Sequence, residues 1–144
     1  MKHPLDRILR LRSLLEEISR IELEARLQEV TRIEGGLKSM QQNHRHMQQL
    51  RHEAIVQADG NWQEAHVMGE WLAGEALSLE PVLEWKEAEA EVAKAFYLER
   101  RKEHRQIESV IEAEVALATI ERSRREQQEL DDWFGQRKQK SRLA

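Results

Sequence analysis

Six histidines are the first candidates for metal or acid–base chemistry: His3, His44, His46, His52, His66 and His104. His44 and His46, two apart, point to different faces of a helix and cannot share an ion there. His52 lies two turns beyond His44, and His3, His66 and His104 are isolated in sequence. The absence of cysteine excludes a thiolate nucleophile, a disulfide framework and Cys-ligated zinc or iron–sulfur clusters. Gly69 and Gly74 have the spacing that opens a phosphate loop, but Glu75 follows where lysine is required. Carboxylates are plentiful, yet on an exposed helix nothing apolar raises their pKa for acid catalysis. No catalytic, metal or cofactor-binding residue is therefore expected, and the chain reads as a non-enzyme with no cofactor.

The residues suited to binding are tryptophans and arginines. Trp62, Trp71, Trp85 and Trp133 stand in a chain with one Tyr and two Phe. Trp62, Met68, Trp71 and Leu72 fall close together, and exposed clusters of this kind favour protein interfaces. Arg7, Arg10 and Arg12 near one terminus, with Arg122, Arg124, Arg125 and Arg137 near the other, could bind carboxylates bidentately. These seven meet only if the fold folds the chain back on itself.

The elements that would do this are long helices. Two Pro and six Gly in 144 residues leave few breakers, which argues against sandwiches, barrels and nucleotide-binding sheets. Ile8, Leu11, Leu15 and Ile18, then Val30, Ile33, Leu37, Met40, Met47 and Ala54, alternate by three and four as a coiled-coil seam does. His44 and Arg51 interrupt that seam. The Gly35-Gly36 pair weakens the helix without stopping it. Asp59-Gly60-Asn61 is the one sharp turn, with Asn61 as N-cap and Glu64 reaching back to it. Helical spacing resumes at Trp62, Ala65, Met68 and Leu72. A second seam follows at Ala93, Phe96, Ile107, Val110, Ile111, Leu117, Ile120 and Leu130.

The predicted architecture is all-α, a single coiled-coil domain over 1–144. It comprises a helix at about 5–58, a turn at 59–61 and a helix at about 62–137. A kink or break is expected near 69–81 because of Gly69, Gly74 and Pro81. Residues 138–144 form a frayed basic tail. Two helices of comparable length, each about 80–90 Å, make a monomeric antiparallel coiled-coil hairpin, rod-shaped, with both termini at one end. A long parallel homodimer is the competitor, and the 59–61 turn speaks against it.

The net charge of -4 is uneven: +2 over 1–58, -8 over 59–91 and +2 over 92–144. No block is basic enough to predict nucleic-acid binding. No apolar run approaches the ~20 residues of a membrane span. Asp6 and Arg7 come too early for a signal peptide, so a cytoplasmic location is expected.

The opening Leu5-Asp6-Arg7-Ile8-Leu9-Arg10-Leu11-Arg12 resembles the start of the FliJ family of flagellar type III export proteins. The run Arg124-Arg125-Glu126-Gln127-Gln128-Glu129-Leu130-Asp131-Asp132-Trp133-Phe134 resembles that family's end. The resemblance implies a two-helix stalk, like the shaft of a rotary ATPase, peripheral at the inner face of the cell membrane. It further implies that the stalk binds and stimulates the export ATPase hexamer and contacts the cytoplasmic domain of the export gate and the export chaperones. Arg7, Arg10, Arg12, Arg122, Arg124, Arg125 and Arg137 would then face the ATPase ring, and Trp62, Met68, Trp71 and Leu72 the gate. Two other readings stand beside it: a generic coiled-coil adaptor, and the related O-protein stalk of injectisome secretion.

Overall fold

A computed structural model describes residues 3–57 and 62–143. Its two elements are α1 (Asp6–Val56) and α2 (Trp62–Leu143), packed against each other as an antiparallel helical hairpin. The expected turn and N-cap at Asp59, Gly60 and Asn61 lie outside the described residues. The chain divides into two compact units, Leu15–Arg100 and Met1–Leu14 with Arg101–Ala144.

In the Leu15–Arg100 unit the hairpin is sewn by a heptad seam. On α1 the covered positions are Leu23, Arg26, Val30, Ile33, Leu37, Met40, His44, Met47, Arg51 and Ala54. On α2 they include Ala65, Gly69, Leu72, Ala76, Leu79, Leu83, Lys86, Ala90 and Ala93. Both series alternate by three and four, the spacing that keeps one stripe facing a partner helix. The predicted stripe from Val30 to Ala54 is this seam. Ile8, Leu11 and Ile18 are exposed instead, because the alternation carried back from Val30 passes one residue later, through Ser19, Arg12 and Leu9. The same one-residue displacement takes Met68 and Phe96 off the α2 seam and puts Gly69 and Tyr97 on it.

Only Val30, Leu72, Ala90 and Ala93 are buried apolar residues among those described. Two helices can enclose no more than a strip between them, so polar seam residues form cross-helix bonds. The His44 imidazole Nδ1 donates to the Gly69 carbonyl at 2.8 Å, and Arg51 Nη1 donates to His66 Nδ1 at 2.8 Å. Arg26 reaches Glu89 at 3.2 Å, and Lys86 lies 3.3 Å from both Glu29 and Glu89. Lys86 holds the Glu29 carboxyl below its ordinary value, and Glu29 with Glu89 raises Lys86. The two interruptions of the seam, His44 and Arg51, are thus inter-helix hydrogen bonds.

The break or kink placed near 69–81 is not a break: α2 continues through Pro81. Pro81 is exposed, so the Leu77 carbonyl that loses its helical donor faces water. Gly69 is covered by α1, and a Cβ there would sit 3.6 Å from Met47 Cβ. The expected tail from 138 is helical as far as Leu143.

In the other unit His3 starts α1. Its carbonyl accepts from Asp6 N–H at 3.0 Å and its Nδ1 accepts from Leu5 N–H at 3.0 Å, satisfying amides that precede the helical ladder. Its Nε2 then donates to Glu114 of α2. Arg12 pairs with Glu103 at 2.7 Å. With His3 opposite Glu114, α1 ends where a long stretch of α2 begins: every described residue from Glu112 to Leu143 is exposed. The helices are not of comparable length, with 51 residues in α1 and 82 in α2. Leu117, Ile120 and Leu130, expected in a seam, have no α1 residue opposite them.

Candidate functional site

The residues expected to bind partners fall on two of the surfaces where large apolar or charged side chains are exposed; Ile18, Trp85, Val92 and Phe96 line another. At the start of α2, Trp62, Met68 and Trp71, three of the four residues expected to form a docking patch, are exposed. Leu72 is not part of it. Only 7% of Leu72 is accessible, because it falls on the seam one residue beyond Trp71. Val67 takes its place, and Val67, Met68 and Trp71 line an open apolar hollow with Gln63 and Glu64. Trp62 stacks obliquely toward His66, its ring centre 6.5 Å away. Sequence spacing could have revealed Val67, since it sits four residues before Trp71 on the same helix face.

The second surface is the uncovered end of α2. Arg122, Arg124, Arg125 and Arg137 are exposed there. The Arg137 guanidinium lies over the Trp133 ring at 5.1 Å, and Trp133 meets Phe134 edge-on with ring centres 5.0 Å apart. The expected union of seven arginines at one end is not observed. Arg12 is engaged by Glu103, and the α2 stretch opposite the start of α1 ends at Glu114, before the first of the four late arginines. Unequal helix lengths separate the two groups. His3, isolated in sequence, bridges α1 to α2; no residue pattern marks a contact 111 positions away.

Among the described residues no three or more His, Asp or Glu side chains are grouped to hold a metal ion. No helix among them is long and apolar enough to cross a membrane.

A helical pair sewn by a heptad seam defines a coiled-coil protein. The chain belongs to the FliJ family, since the flagellar FliJ protein family matches residues 1–143. It is a component of the flagellar protein export apparatus, in a family of non-catalytic export proteins. No curated protein and no solved structure matches the chain significantly.

Proposed function

We propose that this chain is the non-enzymatic stalk of the export apparatus, binding and stimulating the export ATPase hexamer through the uncovered end of α2. The observation that carries this reading is the exposed single helix from residue 115 to 143 with Arg122, Arg124, Arg125 and Arg137 on it. A lone helix is about 10–12 Å across with its side chains, half the width of a helical pair, and so suits the bore of a ring. Arginine forks suit carboxylates lining such a bore. At the other end of α2, the Trp62, Met68 and Trp71 patch is assigned to the cytoplasmic domain of the export gate. Export chaperones are further partners, and the association with the inner face of the membrane is peripheral, through the apparatus.

The test is ATP hydrolysis by the purified export ATPase with and without this chain. Reversing Arg124 and Arg125 to Glu should abolish stimulation, while reversing Arg45 and Arg105, which are also exposed, should leave most of it. Equal loss from both pairs, or none from either, overturns the assignment. A generic adaptor would leave hydrolysis unchanged from the outset.

A further inference from the structure

We infer that the uncovered end of α2 is also a self-association surface, on which a second copy of this chain packs antiparallel about a two-fold axis near Phe134 and Gly135. This goes beyond the stalk reading and does not depend on it: the self-paired end is a helical pair, so the dimer and the lone helix that suits a ring are alternative states of one surface, and the free chain is not the monomer expected from the sequence. On a helix of 3.6 residues per turn, Leu130, Trp133, Phe134 and Arg137 share one stripe. Leu130, Trp133 and Phe134 are each about half exposed, at 53%, 51% and 57%. Asp131 and Lys138 flank the stripe on one side, Glu129 and Lys140 on the other.

Each flank carries its acid toward the N-terminus and its base toward the C-terminus. Seven and eleven residues separate them, ~10 and ~16 Å along the axis, too far for either to pair within one chain. Asp131 accepts a hydrogen bond from Gln127 at 3.2 Å, which leaves its charge uncompensated. No ion pair among the described residues engages Glu129, Asp131, Lys138 or Lys140.

A second helix running the opposite way reverses the order of charges. Asp131 then faces Lys138 of the other copy, and Glu129 faces Lys140. Both pairs have the same midpoint, between Phe134 and Gly135, so one axis satisfies both flanks at once. That axis also brings Trp133 of each copy beside Arg137 of the other and closes the apolar stripe on itself. A parallel arrangement in register sets one flank against the opposite flank of the other copy, Asp131 beside Glu129 and Lys138 beside Lys140, which is repulsive.

The experiment is sedimentation of the full chain alone, without the ATPase, so that its outcome is separate from that of the stalk reading. The wild type should show a concentration-dependent dimer that weakens with added salt. Two variants isolate the charges: E129K with D131K, and K138E with K140E. Alone, each should bind itself at least about tenfold more weakly, because every flanking contact becomes like-charged. Mixed, they should form a one-to-one heterodimer, since every contact becomes complementary again. Circular dichroism of each variant should match the wild type. The chain has no cysteine, so Phe134→Cys provides a second readout, forming a disulfide-linked dimer under mild oxidation far faster than Ser123→Cys. A wild type that stays monomeric, variants that dimerise alone as well as it does, or a mixture that stays monomeric would each overturn the proposal.

Discussion

The stretch of α2 from Ala65 to Ala93 and the stretch from Val115 to Leu143 are both unbroken helix, yet for different reasons. The first contains Gly69, Gly74 and Pro81, which disfavour helix by roughly 1, 1 and 3 kcal/mol relative to alanine. It is helical because α1 covers its seam at Gly69, Leu72, Ala90 and Ala93. The second has one glycine, no proline and no covered residue, and its helix rests on Glu, Arg, Gln, Leu and Ala with local contacts such as Gln127 to Asp131. Tertiary burial overrides poor propensity in one region, and good propensity replaces burial in the other.

Leu72→Asp is the sharpest way to break this contrast. It puts a charge on the seam and should lower hairpin stability by about 3 kcal/mol or more, read as a lower midpoint in urea. Leu130→Asp, the same change in the uncovered stretch, should move that midpoint little. Equal effects would show that the two regions are not stabilised differently.

Glycines sharpen the comparison at smaller scale. A Cβ at Gly35 or Gly36 meets nothing within 4 Å, so alanine at both should stabilise the hairpin by about 0.5–1 kcal/mol each. Gly69→Ala should gain less, since its Cβ comes within 3.7 Å of His44 Nδ1, whose bond to the Gly69 carbonyl it must preserve. Gly135→Ala, with open space around it, should raise helix content without shifting the hairpin's midpoint. Thermal melts followed by circular dichroism measure all three.

The smallest expected effect is electrostatic. The Glu29 carboxyl is depressed below 4.5, so its contribution is present above that pH and lost as pH falls through the depressed value. Lys86 is raised above 10.5, so its contribution is full below 10.5 and lost as pH rises through the raised value. Lys86→Met should flatten both limbs of the stability profile. A profile unchanged by that substitution would mean that the pair adds nothing.

How much of this was legible follows from where the information lies. The two helices and the seam from Val30 to Ala54 were readable because apolar residues occupy the heptad positions there. The early seam was not. Arg12, Glu16 and Ser19 occupy it while Ile8, Leu11 and Ile18 form a more apolar stripe beside it, and only pairing with α2 decides between the two. The same ambiguity between adjacent positions placed Leu72 in the surface patch. Continuity through Pro81 depends on which face the proline takes, which is set by the register of the pair. Unequal helix lengths had no signature, because Leu117, Ile120 and Leu130 continue the apolar rhythm past the point where α1 stops.

The uncovered helix has a consequence in time. Without a partner along its length, its turns open and close on the helix–coil scale of about 0.1–1 μs, whereas covered turns open only with the hairpin. These openings are faster than a diffusional encounter, so whatever captures this end meets an already equilibrated helix and must hold it in one form. Part of the binding free energy is then spent on ordering, which favours fast release. The free end is built for contacts that are made and broken many times.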